Sequence, residues 1–371
     1  MQKIIFIQPG YAHYRNQLFS ILSKKHNILF IFERSTNVYP GEIKLDAFSY
    51  AFLDKGLPLG SFRLIRHLLI HRPSVVISSV SSSNRSFISF LYSILFRKRL
   101  ILWILEWRKL SHSPHTLKRF LKGIKALIGT KLIQNAHSLV VGGSASKQYA
   151  LSLGKDENDI FMAMQCSDDL RSQSDMKIEK IKQENSKYTF LYMSRIIPYK
   201  GLDILIKAFS LLRSKRDDVF LLIGGDGPFR KHCQQLAKSL EIFDISFLGP
   251  ISPNSVVNLY AQADVFVLPS YYYKKIKHEA WGLVINEAMS MSLPIITTTA
   301  VGASFDLVVD GYNGFIVKDN DIVDLYKSME KIINLDLVQM GKNSRFIFEE
   351  KNDFVKMANG FTSAIEHALS K

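Results

Sequence analysis

Two glutamates eight residues apart, Glu279 and Glu287, bracket the segment HEAWGLVINEAM. Glu279 lies just before a glycine that opens a helix. Glu287 lies inside that helix, flanked by Ile285, Ala288 and Met289. A carboxylate in so apolar a setting needs hydrogen-bond partners, and a ribose diol offers two hydroxyl donors. The amides of Gly282, Leu283 and Val284 form the helix N-terminus, a ready place for a phosphate. The bland alternative is a loop acid and one arm of a helix ion pair. Upstream, Ser194-Arg195-Ile-Ile-Pro198-Tyr-Lys200-Gly201 leaves a strand and enters a helix. Arg195 as a planar fork and Lys200 as a point charge suit a diphosphate, although two solvated loop cations are the plainer reading. Gly225 and Gly227 sit in a glycine-rich turn between a strand and a helix. A dinucleotide fingerprint would want a third glycine where Arg230 stands, so the run is ample as a tight turn and weak as a phosphate cradle.

Other tempting features carry less. Asp319-x-Asp321 has the spacing of a metal motif, yet its place after strand Phe315–Val317 and before helix Ile322–Lys331 favours helix capping. His112-x-x-His115 lacks further ligands at useful spacing, so no metal site is expected. Tyr271-Tyr272-Tyr273, followed by lysines, fits a mobile wall beside Glu279 better than a nucleic-acid stacking platform.

These residues need strands and helices to place them. In the first half, Lys3–Gln8, Ile28–Phe32, Ser74–Ser79, Leu100–Leu105 and Ser138–Gly142 read as strands. Asn16–Lys24, Phe62–His71 and Ser86–Phe96 read as helices between them. The second half repeats the alternation from Tyr188–Ser194 to Pro294–Thr298. That β-then-α pattern predicts an α/β fold with parallel, doubly wound sheets. The expected domains are 1–168 and 188–348, joined by a polar linker over 169–187. A C-terminal helix over 349–371 is expected to pack back toward the first domain. Ligands of such sheets bind beyond the carboxyl ends of the strands, so two Rossmann-like domains facing each other across a cleft are anticipated.

The ordered set Ser194-Arg195…Lys200-Gly201, Gly225-Asp226-Gly227, Phe247-Leu248-Gly249, Ala263-Asp264-Val265…Pro269-Ser270, Glu279-x7-Glu287 and Gly311-Tyr-Asn313-Gly314-Phe315 resembles glycosyltransferase family 4 over about 130 residues. The resemblance implies a GT-B fold, retention of anomeric configuration, no cofactor and no metal. It implies that Arg195 and Lys200 hold the donor diphosphate and that Glu287 holds the ribose. Glu279 would face the transferred sugar, with Gly282 and Leu283 offering amides near the same group. The opening Pro9-Gly10-Tyr11-Ala12-His13-Tyr14-Arg15 looks like that of a subset acting in surface-polysaccharide assembly. Gly10 would let the loop approach the donor, and His13 is a candidate catalytic residue, with an ordinary helix start as the alternative. Many relatives carry a histidine after a central strand of this domain, where this sequence reads Trp103-Ile-Leu-Glu106-Trp107-Arg108. If Glu106 takes that place it could orient or deprotonate the acceptor hydroxyl; a pair with Arg108 or Lys109 competes.

Composition bounds the rest. Of 371 residues, 47% are hydrophobic and 22% charged, which fits folded domains. Cys166 and Cys233 form no motif, favouring a reducing compartment. No stretch reads as a signal peptide or spanning helix. Residues 1–168 hold 23 Lys/Arg against 9 Asp/Glu, whereas 169–371 hold 25 against 24. The net +14 of the first half points to an anionic partner. Basic amphipathic stretches at Leu59–Ile70 and Leu117–Ile133 favour peripheral contact with an anionic membrane, from the cytoplasmic side. The expected partners are a nucleotide-sugar donor and a glycan or lipid-linked acceptor, as in capsule, O-antigen or exopolysaccharide synthesis, and no nucleic acid. An NAD(P)-dependent oxidoreductase and a non-catalytic nucleic-acid-binding protein are the alternatives.

Overall fold

The computed structural model describes residues 2–33, 47–53, 59–79, 84–107, 127–173, 187–273 and 278–371. The chain divides into two compact units, Met1–Gln165 with Asp353–Lys371, and Cys166–Asn352. Runs rich in Ile, Val, Leu and Phe form strands that are buried on both faces, as parallel sheets covered by helices require.

The first unit holds β1 (Lys3–Gln8), β2 (Asn27–Phe32), β3 (Ser49–Phe52), β4 (Val75–Ser78), β5 (Arg99–Ile104), β6 (Ser138–Val141) and β7 (Ile160–Met162). They pair in parallel in the order β3-β2-β1-β4-β5-β6-β7. The second unit holds β8 (Tyr188–Met193), β9 (Val219–Gly224), β10 (Ile245–Gly249), β11 (Val265–Leu268), β12 (Ile295–Thr298) and β13 (Gly314–Val317). Their order is β10-β9-β8-β11-β12-β13, again parallel. Each order reverses once, at β1/β4 and at β8/β11. Loops leaving the strands at such a reversal diverge and open a crevice for ligands.

Several boundaries differ from those read in the sequence. The edge strands β3 and β7 are short and half exposed, so their hydrophobic signal is faint. Residues 166–173 pack within the second unit and not as a linker. Arg345 grips Asp169 with two nitrogens at 2.7 and 2.8 Å and also donates to the Ser290 carbonyl at 2.9 Å. The rest of the expected linker, 174–186, lies outside the described residues. The second unit runs on through the helix Leu337–Lys351 to Asn352. The last helix starts at Phe354, where the Asp353 carboxylate caps the amides of Val355 and Lys356. It packs on the first sheet, with the Phe361 ring 5.3 Å from Phe6 and 5.1 Å from Trp103. Asp159 anchors its end through His367 at 2.9 Å and through Lys371.

Candidate active site

In the second unit the polar residues gather at the sheet's reversal point. The loop after β8 carries Arg195, Tyr199 and Lys200, and the loop after β11 carries Glu279. Gly201 sits at φ +74°, and a Cβ there would lie 2.0 Å from the Pro269 carbonyl, so only glycine lets the two loops meet. A backbone bond from the Tyr271 amide to the Tyr199 carbonyl, 2.9 Å, fastens them.

Lys200 and Glu279 are paired with each other. Their side chains are only 9% and 14% exposed, so each is the other's main charge compensation. Glu279 is further fixed by backbone bonds from its amide to Ala300 and from Gly302 to its carbonyl. The exposed Arg195 shares a hydrogen bond with the Tyr199 side chain. Burial raises the Tyr199 hydroxyl above its ordinary value, and the nearby Glu279 adds to that.

Gly282 adopts φ +100° and opens the helix Leu283–Ser290 with no side-chain cap. The first-turn amides at Leu283 and Val284 therefore face outward from the helix end without a carbonyl of their own. One turn on, the Glu287 carboxylate accepts the Tyr260 hydroxyl at 2.8 Å. Burial lifts Glu287 from 4.5 to about 7, opposed by the Tyr260 bond and helped by the charge of Asp168. Neither Tyr260 nor Asp168 stands out in the sequence, because each meets Glu287 only through the tertiary fold.

The glycine turn has a structural duty. Gly225 (φ +119°) and Gly227 (φ +158°) press on the loop bearing Arg195. A Cβ at 225 would sit 2.0 Å from the Ser194 carbonyl, and one at 227 would sit 2.3 Å from that of Ile196. The Gly225 amide donates to Gly249 and the Gly227 amide to the Asp226 carboxylate, both at 2.8 Å. Both amides are thus already committed, so the turn shapes the arginine loop and does not cradle a phosphate with these two groups.

Asp321 caps the helix Ile322–Ile332 through the Asp324 amide, bearing out the capping reading. Asp319 accepts from the Tyr272 amide at 3.2 Å and from the Thr299 hydroxyl at 3.3 Å. Tyr272 is therefore tied to the body of the unit. Lys274–Lys277 and the pair His112 and His115 lie outside the described residues. Among the described residues, no group of three or more His, Cys, Asp or Glu side chains is placed to hold a metal ion.

The first-unit candidates also sit at strand ends. Gly10 lies in the bend after β1, and His13 begins the short 3-10 turn His13–Arg15. Beneath them Arg15 stacks on the Trp103 ring, 4.4 Å from its centroid, and donates to the side-chain oxygen of the fully buried Gln8. His13 Nδ1, Gln8 Nε2, Arg15 Nε and Trp103 Nε1 are buried and have no hydrogen-bond partner among the described residues. Such a cluster of unsatisfied groups needs an explanation. Glu106 follows β5. Burial raises its carboxyl, opposed by hydrogen bonds from the amides of Glu106 and Leu105. The competing partners Arg108 and Lys109 lie outside the described residues.

Residues 173–351 match the family model for glycosyl transferases group 1. A glycosyltransferase of Haemophilus influenzae, itself uncharacterized, is 32% identical over 172 residues, 46% of this chain and 46% of that protein. The capsular polysaccharide biosynthesis glycosyltransferase CapM of Staphylococcus aureus is 32% identical over 177 residues, 45% of this chain and 43% of that protein. The chain thus spans about half the length of the curated relatives it matches. The structure of HepE from Anabaena in complex with UDP aligns with a TM-score of 0.78 over 99% of this chain and 100% of that one, at 18% identity. The fold is therefore GT-B, two Rossmann-like units each built on a parallel sheet. The resemblance to glycosyltransferases read in the second half is borne out, and Arg195, Lys200, Glu279 and Glu287 all lie in the matched stretch.

Proposed function

With residues 173–351 matching the group 1 glycosyl transferases, we propose that the chain moves a sugar from a nucleotide-sugar donor to a glycan or lipid-linked glycan of a surface polysaccharide, with retention. The carrying observation is the convergence of Arg195, Lys200 and Glu279 beside an uncapped helix N-terminus at the β8/β11 reversal. In glycosyl transfer, positive charge grows on the sugar while negative charge grows on the departing diphosphate. Arg195, Lys200 and the amides of Leu283 and Val284 oppose the second charge where it develops, which is where fixed dipoles accelerate a reaction. That set supplies the role a divalent metal would otherwise take, so transfer is expected to persist in chelator.

Glu279, partnered by Lys200, is suited to accept hydrogen bonds from sugar hydroxyls. Glu287 and Tyr260 form a donor–acceptor pair suited to the ribose diol. In the first unit, the polar groups of Gln8, His13, Arg15 and Trp103 that lack a partner among the described residues support a hydroxyl-rich acceptor or the loop's approach to the donor, with Gly10 alongside. Glu106, at the end of β5 with its carboxyl raised by burial, is suited to orient the acceptor hydroxyl. Retention follows if the acceptor attacks the face the leaving group departs from, its proton passing to the leaving phosphate. The whole reading places the enzyme at a membrane, on its cytoplasmic side, where a lipid-linked acceptor would be met.

The test is a thermal-shift screen of UDP, GDP, ADP and their sugars on the full chain, followed by transfer with the sugar that stabilises it. One nucleotide family should raise the melting temperature of the wild type and not of Arg195→Ala. An unchanged shift in Arg195→Ala overturns the donor site, and an inverted product anomer in the NMR spectrum overturns retention.

A further inference from the structure

The helix Asn84–Leu95 is built inside out. Its buried positions are Ser86, Ser89 and Ser93 with Tyr92, the first two serines 0% exposed, while Ile88 and Phe90 pack against the core from half-buried positions. These hydroxyls are satisfied on the spot. Ser86 shares a hydrogen bond with Ser78 at 2.9 Å, while Ser89 and Ser93 each donate at 2.8 Å to the carbonyl four residues back. The outward side, at helical spacing, is Phe87, Leu91, Ile94 and Leu95, and Leu95 is 74% exposed. An amphipathic helix on a water-facing surface turns the other way. The neighbouring helix Leu59–His71 packs against it. That helix buries Leu64 and Leu68 in the same core, yet leaves Phe62 and Ile70 66% and 61% exposed. Two adjacent helices therefore each leave several large apolar side chains in solvent, which is more than the scattered single residues that need no explanation.

The charge around this surface has one sign. Between Asp54 and Glu106 the sequence contains eight Lys/Arg and no Asp or Glu. Arg85 is neutralised by Glu33. Arg66 and Arg72 stand exposed on or beside the first helix, and Arg97 stands exposed just after the second. A second copy of the chain seated on this face by a twofold axis would set like charges against each other. A bilayer with anionic headgroups complements both parts, taking the apolar side chains at its boundary and the arginines at its phosphates.

We infer that the paired helices Leu59–His71 and Asn84–Leu95 form a monotopic docking face for an anionic lipid bilayer. The inference rests on the reading of a membrane-borne acceptor and deepens it by naming the surface. It also adds the second helix to the contact; of the Leu117–Ile133 stretch, 117–126 lie outside the described residues.

Flotation of the full chain with vesicles, in the absence of any nucleotide sugar, tests it. Vesicles of phosphatidylcholine mixed with phosphatidylglycerol should carry the protein, less so as salt rises, and vesicles of phosphatidylcholine alone should carry little. Leu91→Ser/Leu95→Ser should weaken binding about tenfold or more, and Arg66→Gln about fivefold. All these side chains face solvent, so circular dichroism and melting should match the wild type. Failure to float, or equal binding to both vesicle types, overturns the inference. So does a wild-type dimer in light scattering that the double serine variant dissolves, since a second copy then covers the face. A nucleotide-induced thermal shift that survives in the non-floating variant leaves the donor reading standing by itself.

Discussion

Replacing Glu287 by glutamine isolates the cost of ionising that carboxyl. Glutamine keeps the shape and an oxygen for the Tyr260 hydroxyl, 2.8 Å away in the wild type, and removes only the titration. Burial holds the folded-state value at about 7, against an ordinary 4.5. Below 4.5 the group is protonated whether the chain is folded or not, and the fold keeps its full stability. As pH rises through 7 the folded state must surrender the proton at a site that disfavours charge. Stability is lost over that window and the loss levels off above it. The gap corresponds to about 3 kcal/mol at most. Urea melts of wild type and variant should therefore differ little near about pH 5, by about 1 kcal/mol, and by about 3 kcal/mol in favour of the variant near about pH 8.5. The variant should also bind the donor less well, because it cannot offer an anionic acceptor to the ribose. A stability difference that is the same at both pH values would refute the reasoning, since it would mean that Glu287 titrates alike in the folded and unfolded chain.

Three further outcomes are expected. Lys200→Met strands the Glu279 charge in a buried place and should cost about 3–5 kcal/mol in denaturant melts. Adding Glu279→Gln should return most of it, and no recovery would mean the pair is not a unit. At Asp159, burial acts upward, but hydrogen bonds from Lys371, Lys155 and His367 outweigh it and hold the carboxyl well below its ordinary 3.8. Its contribution is present above that value and fades as pH falls beneath it. Asp159→Asn should therefore destabilise by about 3 kcal/mol near neutrality and lose its disadvantage in acid melts. Gly225→Ala should cost about 1–3 kcal/mol in backbone strain and abolish the nucleotide-induced thermal shift by displacing the Ser194 carbonyl. An unchanged shift would show that the arginine loop does not depend on the turn.

The parallel alternation of both units was legible because buried strands in such sheets read as continuous runs of Ile, Val, Leu and Phe, as in Lys3–Gln8 and Val265–Leu268. β3 and β7 escaped because edge strands bury too little to leave that mark. The break at Asn352–Asp353 was legible in principle, since an aspartate before Phe354 is ordinary capping chemistry, but it lies inside an otherwise helical pattern. The candidate site residues of the second unit stood out as an ordered set of motifs, which lies in the stretch matching the family model. Their pairings did not stand out. Lys200 and Glu279 are distant in sequence, as are Glu287 and Tyr260, and each pair is brought together only by the fold. Likewise the serine and apolar spacing of 84–95 reveals an amphipathic helix but not which side meets the sheet, because the apolar side is ordinarily the buried one.

The two loops that meet at Gly225 and Gly227 carry a consequence for how this protein can change over generations. A side chain at either glycine collides with a carbonyl of the arginine loop, at Ser194 or Ile196. Neither loop can drift alone. Substitutions at 194–197 and at 225–227 form one epistatic block, in which single steps fail and compensated combinations survive. A library meant to alter donor preference should therefore randomise the two segments together, and variants selected from it should carry linked changes in both.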